Sequence, residues 1–128
     1  MSMTLTTPSG LIFSVDWSAW QPADTAVLTF IRRDGQLLLI LKKRGLGKGK
    51  FNAPGGRLEA GETAEQAAVR ETQEEVGLTP LDLHRAGRLD FAFTDGYSLR
   101  CQVFTADACE GTLVETDEAA PFWCAESE

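Results

Sequence analysis

The stretch "RETQEEVGL", Arg70 to Leu78, sets three carboxylates, Glu71, Glu74 and Glu75, within five positions. Spacings of i+3 and i+4 put all three on one face of a helix. Like charges so placed repel by roughly 0.2–0.5 kcal/mol per pair. A solvated helix face tolerates that repulsion. A divalent cation makes use of it. Mg²⁺ takes hard oxygen ligands and keeps water and substrate phosphates in its shell. Arg70 stands beside the cluster and reaches Glu74 at i+4, and Glu62 lies just before the helix.

Upstream, "RGLGKGKFNAPGG", Arg44 to Gly56, is a glycine-rich loop ending in a proline turn. It brings backbone next to the acidic face. Lys42, Lys43, Arg44 and Lys48 are placed to hold phosphate oxygens. Eight of the twelve Lys and Arg residues lie between Arg32 and Arg57, and sixteen of the nineteen acids follow Arg57. A polyphosphate bridged to protein by a cation needs both surfaces. Charge clusters that only solubilise the chain are the plainer alternative. The net charge of −7 argues against binding a nucleic-acid polymer through its backbone.

Other chemistries are narrowed by residue counts. His84 is the single histidine, which removes multi-histidine metal sites, and no GxSxG elbow is present. Cys101, Cys109 and Cys124 form no CxxC pair, and an odd number cannot all pair internally. A reducing, cytoplasmic setting is the simplest reading. No apolar run approaches the ~18 residues of a membrane span. The first residues lack the basic and apolar regions of a secretory signal.

The elements that must position these groups follow from pattern. The 128 residues suit one domain, 1–128, with residues 1–24 as an N-terminal extension. Leu11 to Trp17 alternates and predicts a short strand. "TAVLTFI" (Thr25 to Ile31) and "QLLLILKK" (Gln36 to Lys43) predict two strands joined through Asp34-Gly35, a hairpin signal. The run Leu37 to Leu41 is apolar throughout, which predicts cover on both faces. Thr63 and Gln66 form a capping box, and Gly77 is placed to end the helix. Arg88 to Phe93, Leu99 to Ala106, Thr112 to Val114 and Ala120 to Cys124 predict later strands. The fold class is α/β with a mostly antiparallel or mixed sheet.

The string Gly56 to Leu78, "GRLEAGETAEQAAVRETQEEVGL", resembles the Nudix box, G-x5-E-x7-R-E-U-x-E-E-x-G-U, where U is bulky and apolar. Gly56, Glu62, Arg70, Glu71, Glu74, Glu75, Gly77 and Leu78 fit it. Thr72 departs from it, with a hydroxyl where an apolar contact is usual. "KKRGLGKGKFNAPGG" and "VETDEAAPFW" are similar to segments of the MutT-like group that acts on oxidised purine nucleoside triphosphates. The resemblance implies an α/β/α sandwich around a mixed sheet. It implies Mg²⁺-dependent hydrolysis, with Mn²⁺ as a substitute, and a nucleotide substrate. By position it implies Glu71, Glu74, Glu75, Glu118 and the Gly55 carbonyl as metal ligands. Glu74, Glu75, Glu71 and Glu118 are catalytic candidates, and Arg70 orients the glutamates. Asn52, Leu46, Phe91 and Phe93 are implied to hold the base, and Lys42 and Arg44 the phosphates. Relatives continue past "PFW" into a further helix, so the expectation here is a sandwich lacking its usual C-terminal helix. The sheet face left open would bring partner-chain contacts such as a homodimer, low solubility, or a substitute cover from residues 1–24.

Three functions compete at this stage. The first is a pyrophosphohydrolase releasing monophosphate and pyrophosphate from a nucleoside triphosphate such as 8-oxo-dGTP. The second is hydrolysis of another nucleoside diphosphate derivative: a dinucleoside polyphosphate, a sugar nucleotide or a capped RNA end. The third is a nucleotide-binding module without turnover.

Overall fold

The alternation in Asp24–Arg33 (β3) sends Val27, Thr29 and Ile31 to one side, all buried. Asp34 and Gly35 both adopt positive φ, 53° and 73°, and turn β3 directly into Gln36–Lys42 (β4). That is the backbone of a tight two-residue hairpin, whose twist matches the strands. Leu38 and Ile40 point to the same buried side as Ile31. Leu37, Leu39 and Leu41 are only half-buried, so β4 has one covered face rather than the two expected.

The computed structural model describes residues 1–127; Glu128, the end of the expected domain, lies outside them. Before β3, Ser2–Thr6 (β1) and Ile12–Asp16 (β2) form an antiparallel hairpin. After β4 come Phe51–Asn52 (β5) and Gly55–Arg57 (β6), then helix Ala64–Val76 (α1). Leu78–Leu81 (β7), His84–Ala92 (β8), Ser98–Ala106 (β9), Ala108–Gly111 (β10) and Ala119–Ala125 (β11) follow. The main sheet runs β11-β4-β3-β9-β8, with β5 on β4 and β6 on β3. β3 and β9 are parallel and the other pairs antiparallel, so the sheet is mixed. α1 is the single helix among the described residues.

The helix begins and ends where its caps dictate. The Thr63 hydroxyl accepts from the Gln66 N–H at 3.1 Å, and the Gln66 side chain accepts from the Thr63 N–H at 2.9 Å. Gly77 closes it at φ 79°, its N–H reaching the Gln73 carbonyl at 3.0 Å. Ala67 and Ala68 are fully buried and let the helix lie close against Val27 and Phe104. Thr72 is also fully buried, and its hydroxyl donates to the Ala68 carbonyl at 2.7 Å. The departure from the box is therefore satisfied within the helix itself.

Two expectations are corrected. Thr112 to Val114 is not a strand. The strand lies earlier, as β10, paired with β7. Gly111 turns the chain at φ 103°, and the Val114 N–H then donates to the Val76 carbonyl at the helix end. Residues 1–24 do not cover the outer face of β4 and β11. Their hairpin borders Ala92 to Ser98, at the opposite edge of the sheet. Phe51 and Phe122 pack edge to face at 5.4 Å on the outer face and stay exposed.

A side chain at Gly77 would meet the Thr112 carbonyl oxygen at 2.5 Å, at a left-handed φ. Gly77→Ala is expected to lower stability by about 2 kcal/mol. Urea unfolding should show a lower midpoint with an unchanged m-value.

Candidate active site

Three expected ligands meet. One carboxylate oxygen from each of Glu71, Glu75 and Glu118 lies within 4.8 Å of the others. The helix supplies the first two, one turn apart. The segment before β11 supplies the third. Thr116 holds that segment in place: its hydroxyl donates to the Glu75 carbonyl at 2.8 Å and accepts from the Glu118 N–H at 3.3 Å. The Lys43 N–H donates to the Glu118 carbonyl at 2.9 Å and fixes the other side. Glu74 is not in this group. It is half exposed and bonds to Arg70 at 3.2 Å.

Each carboxylate has a different electrostatic partner. Glu71 accepts from Arg70 at 2.8 Å. Glu118 accepts from Arg44 at 2.8 Å. Glu75 has no ion pair among the described residues, only a long hydrogen bond from the Gly55 N–H at 3.4 Å. Burial, followed by the charge of Glu71, pushes Glu75 up to about 8. Burial also raises Glu71, against the hydrogen bond from Arg70. A cluster of hard oxygens, short of positive charge at its centre, fits a divalent cation.

Arg70 organises the whole. Its Nε and Nη2 grip Glu62 at 2.7 and 2.8 Å, and Nη2 also reaches the Arg57 carbonyl at 3.1 Å. The fork holds Glu62 down to about 2. Sequence reasoning placed Glu62 in the box but did not assign it this role. Its spacing of eight residues from Arg70 was the available signal. Gly56 permits the last contact, because a Cβ there would sit 2.5 Å from the Glu71 carboxyl carbon.

Beside the cluster opens a cleft of about 520 Å³, and the two share Lys42, Gly45, Gly55 and Gly56. Leu46, Asn52, Phe91 and Phe93 all line it. Phe91 and Phe93 stack at 6.0 Å and 20°. The Asn52 Oδ1 accepts from the Ala53 N–H at 2.8 Å, which leaves the amide nitrogen to meet a ligand. Lys42 lines both the cleft and the acidic pocket. Lys43 is drawn away by Glu115, and Lys48 lines neither. Arg57 and Cys101, which sequence reasoning did not single out, also line the cleft. Burial pushes the Cys101 thiol up to about 11, so that side chain stays neutral.

Residues 21–128 match the NUDIX domain family. The chain belongs to the Nudix family. It is 45% identical over 97 residues to the oxidized purine nucleoside triphosphate hydrolase of Danio rerio, covering 75% of this chain. The Mus musculus protein of the same name is 39% identical over 97 residues, again 75% of this chain. The match spans 62% of the length of each of these relatives. The crystal structure of a MutT NUDIX hydrolase from Burkholderia pseudomallei superposes with a TM-score of 0.75 at 31% identity, covering 83% of this chain and 84% of that one. The Nudix fold read from the box is thus shown, with α1 as its helix among the described residues. No helix of the described residues is long and apolar enough to cross a membrane.

Two predictions follow from this geometry. Gly56→Ala should push Glu71 off its position and weaken Mn²⁺ binding by about tenfold, the scale of losing an orienting contact. Calorimetry checks it, and wild-type affinity would show that the close approach is unnecessary. The second concerns pH. Glu75 is raised from 4.5 to about 8, so the folded state favours its protonated form. Its contribution is fully present below pH 4.5 and is lost as pH rises through about 8. In EDTA, Glu75→Gln should therefore raise the melting temperature relative to wild type increasingly between those pH values. A constant difference across that window would contradict the assignment.

Proposed function

We propose that this chain hydrolyses nucleoside triphosphates, oxidised purines such as 8-oxo-dGTP among them, to the monophosphate and pyrophosphate. The convergence of Glu71, Glu75 and Glu118 at the end of a partly aromatic cleft carries this reading. The names of the two vertebrate relatives support the substrate class. Residues 1–128 act as one Nudix domain, with 1–24 as an extension.

Glu71, Glu75 and Glu118 hold the cation, Mg²⁺ or Mn²⁺, with the Gly55 carbonyl beside them. When bound, the cation supplies charge neutralisation and Lewis-acid activation of water. The base lies between Leu46 and the Phe91–Phe93 pair, and Asn52 meets its polar edge. Lys42 and Arg44 take the phosphate oxygens. The attacking water forms a bond to one phosphorus as the bridging oxygen leaves, and its proton passes to a carboxylate of the cluster. Positioning and fixed charge supply most of the acceleration. Arg70 and Glu74 act through Glu71 by holding it in place.

A panel of ordinary and oxidised nucleoside triphosphates with Mg²⁺ tests the function. Release of pyrophosphate is expected; inorganic phosphate alone, or no turnover, would reject it. Glu75→Gln should lower turnover at least ~10²-fold with the fold retained. A rate near wild type would remove Glu75 from the reaction.

A further inference from the structure

Two arginines serve the acidic cluster, and they are held very differently. Arg70 meets five oxygens, from Glu62, Glu71, Glu74 and the Arg57 carbonyl, and its side chain is 21% exposed. Arg44 meets one, Glu118 Oε1 at 2.8 Å, and is 63% exposed. It lies on a loop turned by Gly45, Gly47 and Gly49, each at a positive φ. It lines the same small pocket as all three clustered carboxylates. An exposed ion pair of this kind is weak and is readily exchanged. A guanidinium bonds phosphate oxygens with two parallel contacts, which is stronger.

We propose that Arg44 is an exchangeable counter-ion: it neutralises Glu118 while the site is empty and transfers to substrate phosphate when a cation takes its place. This rests on the proposed reading of the site as one for a cation and a polyphosphate. Glu118 is the one clustered carboxylate whose charged partner can leave without breaking the Arg70 network. Its backbone stays fixed by Lys43 and Thr116 during the exchange. Cation uptake and phosphate capture are thereby linked through one side chain. Each frees the partner that the other needs.

Two double-mutant cycles test this with wild type, Arg44→Met, Glu118→Gln and the double variant. In the first, calorimetry measures Mn²⁺ alone. Arg44→Met should bind Mn²⁺ about three- to fivefold tighter than wild type, the span of an exposed ion pair. The gain should vanish when residue 118 is Gln. In the second, a nucleoside triphosphate is titrated in EDTA. Glu118→Gln should bind it about three- to fivefold tighter, by releasing Arg44, and the gain should vanish with Arg44→Met. Either gain absent, or undiminished in the partnerless background, overturns the exchange. Turnover by wild type is scored separately. If it is absent while both cycles couple, hydrolysis fails and the exchange stands. If turnover is present without coupling, the exchange alone fails.

Discussion

Arg70 joins three segments through one planar group. Its guanidinium reaches the end of β6 at the Arg57 carbonyl, the loop before the helix at Glu62, and the helix itself at Glu71 and Glu74. Two parallel bonds to Glu62 set the plane of the fork. The remaining nitrogen then fixes where Glu71 points. The hydrogen bonds and charges of Glu62 and Glu71 push Arg70's own pKa up, against the opposing effect of burial, so the charge is permanent. Arg70 thereby orients Glu71, while Thr116 ties the Glu118 segment to the helix at the Glu75 carbonyl. The helix face alone would allow Glu71 several rotamers.

The cluster is a deliberate imbalance. Glu71 has a fixed cation, Glu118 a loosely held one, and Glu75 none among the described residues. Glu75 is nearly buried, at 5% exposure, and pays for its place in desolvation. A buried carboxylate without a partner is a destabilising feature. Such features are retained where an ion or a reaction needs them. The fold offsets it with the fully buried set around Ile31, Leu38 and Val76 directly behind.

Much of this was legible in the chain. The capping box and Gly77 set the helix ends, and Asp34-Gly35 set the hairpin, because these signals are local and steric. The spacing of Glu71 and Glu75 predicted a shared face for the same reason. What depended on distant pairing was not legible. The parallel register of β3 with β9 leaves no local mark, and neither does the short β7–β10 ladder. Thr112 to Val114 has strand-like residues, yet its backbone is taken by the helix terminus. Phe51 looked like an ordinary loop residue and stands on an outer sheet face with Phe122. Glu118 was placed by resemblance; its bond to Arg44 crosses 74 positions and no motif encodes it.

The pairing of β3 with β9 has a consequence for how the chain reaches its native state. Asp24 aligns with Leu99 and Ile31 with Ala106, so the central ladder joins strands separated by β4, the helix and β8. β11 must then return to β4 to deliver Glu118. Closing such long loops is entropically slow and comes before the contacts that reward it. A ribosome-bound chain that has emitted β3, β4 and α1 already displays Glu71 and Glu75, but the pocket is still incomplete. The edge of β3 that β9 will occupy is bare until Ser98–Ala106 has emerged. Assembly of the acidic pocket therefore waits for β9 and then β11, and crowding by neighbouring nascent chains is most hazardous just before β9 pairs.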